Sequence, residues 1–386
     1  MRILMLVATS VVTDTRVMRE AGSLVDAGHS VHVIGKDVPP EFIPPAGITV
    51  SSVGAASVFR PSGEPATPAR RMSAPRRLAR WALLPQHRNQ VFGSWAAAAI
   101  VEARHREFDV VHAHDFTALE AGAALAVERG VPYVYDSHEF WLGQQRQYRP
   151  TPWQDRRERR VEGRLGGSAA AVITVGEGVA DALRAAYGWS HVVVVRNSFP
   201  VRAAGGPALP EAPSGLVFAG RVDAHRELET VLEAAADLPD FPVTMVGPVD
   251  EVWVGQNAHR IEATGTTLMP AVSIAEVTDL LRRTGLSLVT LSATSENHML
   301  AMPNKLFHAV HAGVPVIATE NPAIAAIVRQ FGIGEVYRAG DAAGLAAAVR
   351  RAVERYPELV ASVAAAAEEL SWNADAQRLR SVYERI

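Results

Sequence analysis

The sequence predicts an α/β protein built from two doubly wound parallel-sheet domains that face a central cleft. Short apolar runs with the composition of buried strands alternate with amphipathic helical segments along most of the chain. The alternation stops at 199–214, a segment rich in Pro, Gly and Ala, and then starts again. A chain of 386 residues is also long for a single hydrophobic core. We therefore predict an N-terminal domain at 1–198, a linker at 199–214 and a second domain at 215–370.

The first half begins as a β-α-β unit. Arg2 to Val7 predicts a strand, Thr15 to Ala27 an amphipathic helix that Gly28 closes, and Val31 to Ile34 the next strand. The turn between strand and helix lacks the G-x-G-x-x-G spacing, so a nicotinamide dinucleotide site has little support. The elements predicted next are a helix at about Val91 to Arg106, a strand at Asp109 to His112, a helix at Ala118 to Glu128, a strand at Val131 to Tyr135, a helix at about Trp153 to Leu165, and strands at Ala171 to Val175 and His191 to Val195.

The second half repeats this pattern. Its predicted elements are strands at Leu216 to Ala219, Val243 to Val246 and Leu286 to Leu291, and helices at about Leu228 to Ala236 and Ile274 to Arg283. A last helix at about Asp375 to Glu384, within 371–386, is expected to pack back towards the N-terminal domain. Ligands of such sheets bind outside the carboxyl ends of the strands, so the residues that follow the strands are the candidates for chemistry.

The composition argues against several classes of protein. A net charge of −3 gives no support for general nucleic-acid binding, and a chain without cysteine has no disulfide, thiolate metal site or catalytic thiol. No apolar run approaches the ~20 residues that span a bilayer. Ile3 to Val12 is similar to the core of a signal peptide, but Asp14 and Arg16 follow at once without a cleavage segment. We interpret this run as a buried strand and expect a cytoplasmic protein.

The segment Arg60 to Arg88 interrupts the first half. It holds seven arginines against the single acidic residue Glu64, with Trp81 and two leucines near its end. One interpretation is a long solvated loop. The other is a basic, partly amphipathic surface for an anionic acceptor, or for peripheral contact with the inner face of a membrane.

The stretch Ala301 to Thr319 predicts a loop, a helix and a buried strand in succession. Pro303 is typical of the first turn of a helix and Gly313 of a helix end. The amide groups of Asn304 and Lys305 then point out of the helix start, which attracts anions, and Lys305 adds a full positive charge. The pattern indicates a phosphate or diphosphate ligand, although a plain helix with a solvated Asn and Lys has the same residues.

A second group of cations follows the first strand of the second half, in the sequence GRVDAHRELE. Gly220 and Arg221 come directly after the strand, and Arg226 lies near the start of the next helix. Two arginine forks can hold the oxygens of a diphosphate in pairs. Surface arginines are the alternative, but Lys305 at another strand end of the same half favours a shared anion site.

Histidines end one strand of the first half. His112 and His114 alternate in VHAHD, and residues two apart share a face only while the strand continues. We therefore expect only one of them to lie in the cleft and favour His114.

The next strand runs into Asp136 to Glu139. A metal site would draw ligands from Asp136, His138 and Glu139, but no signature spacing supports it, and we predict no metal. A hydrolase dyad or triad also fits the residue types, yet the chain has no G-x-S-x-G elbow. A polar wall of the cleft accounts for these residues without either.

With these residues assembled, the chain resembles the family 4 glycosyltransferases. The motifs that carry the resemblance, in chain order, are TDTRVMREAGSLVDAGHSVHVI, DVVHAHD, VYDSHEFW, GRVDAHRELE and MPNKLFHAVHAGVPVIAT. The resemblance implies the GT-B fold of two Rossmann-like domains and retaining transfer of a sugar from a nucleotide-sugar donor. It also implies closure of the two halves about the linker, which excludes water from the cleft.

The resemblance assigns roles to individual residues. It implies that Arg221 and Arg226 hold the donor diphosphate, and that His114 touches the donor sugar. The positions expected to bind the donor are Gly220, which follows the strand, and Asn304, Lys305, Leu306 and His308, which lie at the helix start and in its first turns. The residues expected on the acceptor side are Asp14, Arg16, His138 and Glu139.

Three positions depart from the family pattern. The usual pair of glutamates eight positions apart is replaced by Leu300 and His308, and Glu227 stands where the family has Gly. The resemblance still implies a metal-independent enzyme without a cofactor, with a UDP-sugar favoured over a GDP- or dTDP-sugar. Its acceptor would be a glycan, a lipid-linked molecule or a natural product. The alternatives are a nucleotide-binding pseudoenzyme or partner subunit and a sugar-nucleotide epimerase.

Overall fold

A computed structural model describes residues 1–12, 14–54, 93–144, 151–203 and 205–386. The chain divides into two compact units. Unit 1 comprises Met1–Val175, Val179–Val195 and Arg378–Ile386, and unit 2 comprises Gly176–Gly178 and Arg196–Gln377. The Arg60 to Arg88 segment and residues 145–150 lie outside the described residues. The segment 199–214, predicted as a linker, falls within unit 2.

Unit 1 contains a seven-stranded sheet in which every pair of neighbours is parallel. Its strands are β1 (Arg2–Ser10), β2 (Ser30–Lys36), β3 (Ile48–Ser52), β4 (Val110–His114), β5 (Tyr133–Ser137), β6 (Ala171–Thr174) and β7 (Val192–Val194). The strand order is β3-β2-β1-β4-β5-β6-β7. The helices of this half are α1 (Thr15–Asp26), α2 (93–103, as described), α3 (Asp115–Arg129), α4 (Pro152–Ser168) and α5 (Glu177–Tyr187).

Unit 2 contains a six-stranded sheet, again wholly parallel. Its strands are β8 (Gly215–Ala219), β9 (Val243–Val246), β10 (Thr267–Met269), β11 (Gly285–Val289), β12 (Val316–Thr319) and β13 (Gly334–Tyr337), in the order β10-β9-β8-β11-β12-β13. The helices are α6 (Leu228–Ala235), α7 (Glu251–Ala263), α8 (Ile274–Thr284), α9 (Glu296–Leu300), α10 (Asn304–Ala312), α11 (Pro322–Phe331), α12 (Ala342–Glu354), α13 (Tyr356–Ala366) and α14 (Trp372–Tyr383). The last helix begins in unit 2, and its final turns belong to unit 1.

The two doubly wound parallel-sheet domains predicted from the alternation are confirmed. Central strands are buried on both faces, as in β4, where all five residues are inaccessible. Helix α1 starts where predicted because the Asp14 carboxylate accepts a hydrogen bond from the Val17 amide, 3.2 Å away, and caps the helix. Its apolar stripe, Val17, Ala21 and Leu24, is buried in unit 1.

The stretch Ala301 to Thr319 forms the predicted loop, helix and strand with two shifts. Pro303 is the cap before α10 rather than its first residue, and Gly313 ends the helix with φ of +74°, a conformation that favours glycine. The strand begins at Val316 because Pro315 has no amide hydrogen for the sheet.

Several elements of the structure were not predicted from the sequence. They are β3, α5, α7, β10, α9, α11, β13, α12 and α13. Strand β1 also continues to Ser10, three residues beyond the predicted end at Val7. Of the helices in the described ranges, none is both long enough and apolar enough to cross a bilayer.

Candidate functional site

Both units gather charged side chains at the carboxyl ends of their central strands. In unit 1 these residues form what we call the buried charge cluster. Its members are Arg16, Glu20, His112, His114, Asp115, Asp136, His138 and Tyr383. Most of them are inaccessible to solvent.

The pair Arg16 and Asp136 lies at the centre of the buried charge cluster. Arg16 donates from Nε to Asp136 Oδ2 at 2.9 Å and from Nη2 to Asp136 Oδ1 at 2.8 Å, in a two-pronged contact. Its remaining nitrogen, Nη1, donates to the Val195 carbonyl at 2.8 Å. Burial alone would raise the pKa of Asp136, but the neighbouring Arg16 and His138 hold it well below its usual range. The ion pair thus ties α1 to the end of β5.

Two histidines share the same carboxylate. His114 donates from Nδ1 to Asp136 Oδ2 at 3.1 Å, and His138 donates from Nε2 to that oxygen at 2.9 Å. His138 Nδ1 also lies 3.2 Å from Asp115 Oδ2. Burial opposes a charge on His138, but Asp115 and Asp136 together raise its pKa well above the ordinary value, so the ring is an imidazolium. Both of its nitrogens are therefore engaged, whereas His114 Nε2 has no hydrogen-bond partner among the described residues.

Only one of His112 and His114 was expected in the cleft, on the premise of a strand that ends at His112, and that premise is wrong. Strand β4 continues through His114, so both rings lie on one face and stack with centroids 4.3 Å apart. His112 Nδ1 lies 2.7 Å from the hydroxyl of Tyr383, which comes from α14. Burial lowers the pKa of His112 well below its usual value and raises that of Tyr383, so both groups are neutral.

Glu20 completes the buried charge cluster one helical turn after Arg16, whose Nη2 lies 2.9 Å from Glu20 Oε1. Burial raises the pKa of Glu20 to about 7. Glu20, His112, His114 and Asp136 offer ligand atoms within 4.8 Å of one another, a donor set that a cation could use. However, Asp136 Oδ2 already accepts three N–H groups. The protein therefore supplies the positive charge of this cluster itself.

The remaining residues expected on the acceptor side have local partners. Asp14 caps α1 and accepts a hydrogen bond from the Thr9 hydroxyl at 3.2 Å. Glu139 accepts one from the Gln144 amide. Neither belongs to the buried charge cluster.

In unit 2 the corresponding residues form what we call the cation group: Gly220, Arg221, Asp223, Arg226 and Lys305. Gly220 follows β8 with φ of +149°, and a Cβ atom there would lie 2.9 Å from Cε and 3.3 Å from Nζ of Lys305. Glycine at this position lets the lysine cross the end of β8. Its Nζ lies 4.7 Å from the ring centre of Phe218, a cation–π distance.

The charges of the cation group are unequal. Arg221 and Arg226 lie 3.6 Å and 3.8 Å from the two oxygens of Asp223, their common carboxylate. Arg226 Nε is buried and has no hydrogen-bond partner among the described residues. Burial lowers the pKa of Lys305, the positive charge of Arg226 lowers it further and Asp223 acts to raise it, so that the pKa lies at about 7. With Lys305 protonated, three cations share one anion.

The start of α10 adds amide groups to this side of unit 2. The first amides of a helix have no partner within it, and here they belong to Asn304 and Lys305. The side chain of Leu306, another predicted donor-binding residue, is buried in the apolar core. Its amide donates to the Pro303 carbonyl at 3.1 Å.

Two of the departures from the family pattern have visible consequences. Glu227 has φ of +57°, the left-handed conformation that glycine adopts without strain. Its carboxylate accepts hydrogen bonds from the Thr230 hydroxyl at 3.0 Å and from the Gly340 amide at 2.9 Å, which offset part of that strain.

His308 lies against Phe199, with ring centroids 4.7 Å apart, and its Nε2 is 2.8 Å from the Thr278 hydroxyl. Burial lowers the pKa of His308 to about 4, so it is neutral.

Several residues of the two sites were missed in the sequence. Glu20 and Tyr383 were not predicted for the buried charge cluster, nor was Asp223 for the cation group or Phe218 beside Lys305. The i, i+4 spacing of Arg16 and Glu20 on an otherwise apolar helix face was an available signal for the first. No local signal marks Tyr383, which lies 271 residues from His112.

Family models match both halves of the chain. One described as a glycosyl transferase 4-like domain matches residues 13–198, and one described as glycosyl transferases group 1 matches residues 213–355. The chain belongs to the family 4-type glycosyltransferases. The resemblance seen in the sequence motifs is thereby confirmed. No protein of curated function matches the chain.

Solved structures share the fold of this glycosyltransferase along its whole length. Sucrose-phosphate synthase from Thermosynechococcus elongatus superposes with a TM-score of 0.73 at 14% identity, covering 100% of this chain and 99% of that one. HepE from Anabaena, solved with UDP, has a TM-score of 0.70 at 15% identity and covers 100% of both chains. A glycosyltransferase from Rickettsia africae has a TM-score of 0.68 at 14% identity, with coverage of 100% and 98%. The chain therefore has the GT-B glycosyltransferase fold.

Proposed function

We propose that this glycosyltransferase moves a sugar from a UDP-sugar to an acceptor hydroxyl, with retention of anomeric configuration and without a metal ion or cofactor. The observation that carries the proposal is the unbalanced charge of the cation group. With Lys305 protonated, three cations, Arg221, Arg226 and Lys305, have only the carboxylate of Asp223 beside them among the described residues. A diphosphate supplies the negative charge that the protein leaves out.

The start of α10 supports the same ligand. Its first amides, at Asn304 and Lys305, face away from the helix, and the helix dipole favours an anion there. Lys305 belongs both to this helix start and to the cation group, since its side chain reaches Gly220 at the end of β8. The two features therefore describe one anion site rather than two.

The proposed reaction needs no nucleophile from the protein. The bond between the anomeric carbon and the diphosphate oxygen breaks, and the acceptor oxygen bonds to that carbon from the same face. The acceptor's proton passes to the departing diphosphate oxygen. Negative charge grows on the diphosphate during this step, and preorganised cations such as Arg221 and Arg226 stabilise it. Their positive charge takes the place of a metal ion.

We propose that His114 contacts the donor sugar. Asp136 is ionised and accepts a hydrogen bond from His114 Nδ1, so Nε2 of the neutral ring is an acceptor without a partner among the described residues. A sugar hydroxyl could donate to this nitrogen. Because the ring is fully buried in this structure, the contact requires the residues over it to move.

The choice of UDP over GDP or dTDP rests on a likeness in fold. HepE has been solved with UDP and with UDP-glucose. We propose a glycan, a lipid-linked molecule or a natural product as the acceptor. The lack of cysteine fits a reducing compartment, so we also propose that the enzyme acts in the cytoplasm.

A second candidate function is a nucleotide-binding partner without transfer activity. The observation that favours it is at position 308, where the family carboxylate is replaced by a neutral histidine that is already bonded to Thr278 and stacked on Phe199. Leu300, at the end of α9, cannot supply the other carboxylate.

A donor panel tests the proposal. Purified protein is incubated with UDP-, GDP- and dTDP-sugars and a panel of saccharide acceptors in EDTA, and the released nucleoside diphosphate is measured. We expect release from one class of donor, and a loss of about 10²–10³-fold in Arg221→Ala, the range for one transition-state charge contact. The matched control is Arg283→Ala, an exposed arginine of unit 2 outside the cation group.

The outcomes separate the two candidates. Undiminished release in Arg221→Ala, with the same thermal unfolding as wild type, contradicts the assignment of the cation group. Tight binding of a nucleotide without release from any donor supports the inactive partner instead.

A further inference from the structure

Helix α4 carries an exposed basic stripe that the proposed reaction does not use. Its members are Trp153, Arg156, Arg157, Arg160 and Arg164, which we call the α4 stripe. Their spacing of i, i+3, i+4, i+7 and i+11 places them on one face of the helix. The row extends over about 17 Å, from a rise of about 1.5 Å per residue.

The α4 stripe is open to solvent. Trp153 is 80% exposed, and each of the four arginines belongs to the exposed class. Arg157 lies 3.7 Å from Glu120 in an exposed pair that holds it weakly. In the described part of the chain, the other three arginines have no carboxylate within ion-pair distance. The stripe therefore presents a large aromatic ring and nearly uncompensated positive charge.

The opposite face of α4 fixes which way the stripe points. Gln154, Glu158, Glu162 and Gly166 are buried there. Glu158 accepts a hydrogen bond from the Trp141 indole at 2.8 Å, and Glu162 accepts one from the Tyr135 hydroxyl at 2.8 Å. Because these buried carboxylates are bonded to the body of unit 1, the helix cannot roll the arginines inwards.

The position of α4 in the chain indicates the edge of the sheet towards which Trp153 lies. The helix begins after the carboxyl end of β5, which is the end of the sheet where Asp136 and His138 lie. The Trp153 end of the stripe therefore lies towards the carboxyl edge of the sheet, and Arg164 towards the amino edge.

We infer that the α4 stripe docks unit 1 on the surface of an anionic membrane. Arginine forks match lipid phosphates, and tryptophan prefers the level of the headgroups, where its ring is apolar and its N–H stays hydrated. A straight helix face fits a plane of phosphates. The inference concerns the partner of this surface and does not depend on the proposed transfer activity.

A soluble polyanion is the other ligand for such charges. Arginines alone are enough to bind a soluble polyanion. The exposed Trp153 at the end of the row is stabilised more by the partly apolar headgroup layer of a membrane. The net charge of −3 also gives the whole protein no general attraction for nucleic acid. The row of positive charge on one helix face instead fits a local contact with a charged surface.

Vesicle binding tests the inference. The full chain is floated with liposomes of phosphatidylcholine alone or with about one third phosphatidylglycerol. We expect binding to the anionic vesicles only, weakened by salt. Since each arginine near an anionic surface contributes about fivefold to partitioning, the double change R156Q/R160Q should weaken it about 25-fold.

Two controls match charge and hydrophobicity. R283Q/R385Q removes the same charge from exposed arginines outside α4 and should bind like wild type. W153A should weaken binding, whereas V127A, which removes an 82% exposed side chain of α3, should not. Each variant is first checked for unchanged thermal unfolding.

Three results would overturn the inference. They are no binding of wild type to anionic vesicles, equal binding by R156Q/R160Q and R283Q/R385Q, or loss of heparin binding in R156Q/R160Q with vesicle binding unchanged. The last would assign the stripe to a soluble polyanion.

Discussion

Unit 1 and unit 2 both collect arginines and acidic residues at the carboxyl ends of parallel strands, but they balance the charges differently. In the buried charge cluster, Arg16 and the His138 imidazolium are matched by Asp136 and Asp115, with Glu20 beside them. In the cation group, Arg221, Arg226 and Lys305 share only Asp223 within the described part of the chain. Charges that satisfy one another stabilise a fold, whereas charges left unmatched on an accessible edge indicate a ligand.

The arginines of the two sites also differ in how far they are buried. Arg16 and Asp136 are almost completely inaccessible, with side chains 3% and 0% exposed. The side chain of Arg221 is 59% exposed and that of Arg226 is 31% exposed. The first pair is therefore expected to act on stability, and the second on binding.

The largest effect should come from breaking the buried pair. Asp136→Asn leaves the Arg16 guanidinium and the His138 ring without their shared carboxylate, and it should lower the free energy of unfolding by about 3–5 kcal/mol, as for other buried pairs. Urea denaturation measures this loss. The matched control is Asp109→Asn, which breaks the exposed pair with Arg2 at the amino end of the same sheet and should cost far less.

The pH dependence has a definite sign. The folded state holds the pKa of Asp136 well below its usual value, so the stabilisation is present at neutral pH and is lost as pH falls through the folded-state pKa. The difference between wild type and Asp136→Asn should therefore shrink in acid. A difference that grows in acid, or equal losses in Asp136→Asn and Asp109→Asn, would contradict the account of unit 1.

The next effect concerns Lys305. With its pKa lowered to about 7, the lysine must gain a proton to bind a diphosphate above that pH. The affinity for a UDP-sugar should then fall as pH rises from 7 to 9, approaching tenfold per pH unit for a single proton. Calorimetric titration at several pH values measures this slope.

The chain offers a clean control for that experiment. Its other lysine is Lys36, in unit 1. Lys305→Met should bind more weakly below pH 7 and lose the slope, whereas Lys36→Met should keep both the affinity and the slope. A slope that survives in Lys305→Met would place the titrating group elsewhere.

The smallest effect is expected at position 308. His308→Glu restores the carboxylate of the family pattern, which can accept hydrogen bonds from two ribose hydroxyls and should tighten UDP binding about fivefold, a charge-assisted contact of about 1 kcal/mol. The matched control is His311→Glu, one turn further along α10, which should leave UDP binding unchanged. Equal or weaker binding by His308→Glu would show that the ribose lies away from this position.

The features that could be predicted from the sequence are those with a local signal. Strands and helices with local signals were found, such as α1 with its Asp14 cap and α10 between Pro303 and Gly313. Most of the cation group was also predictable, because Gly220 and Arg221 follow a strand directly and Lys305 sits at a helix start. In each case the signal is local, since the residues that mark the helix start or the strand end are neighbours in the chain.

The buried charge cluster depends on contacts that are distant in sequence. Arg16 and Asp136 are 120 residues apart, and a charged residue on an amphipathic helix is normally expected in solvent. His112 and His114 were separated wrongly because the end of β4 lies two residues further on than predicted. Element boundaries and distant pairing decide these features, and neither has a local signal.

The measurement that tests the central claim most directly is calorimetric titration of UDP, GDP and dTDP in EDTA into wild type, Arg221→Ala and Arg283→Ala. If the cation group of unit 2 binds the donor diphosphate, one nucleotide should bind wild type and Arg283→Ala alike. Arg221→Ala should then bind at least about tenfold more weakly, a change of about 1.4 kcal/mol. Binding that is unchanged in Arg221→Ala, or no binding of any nucleotide, would contradict the claim.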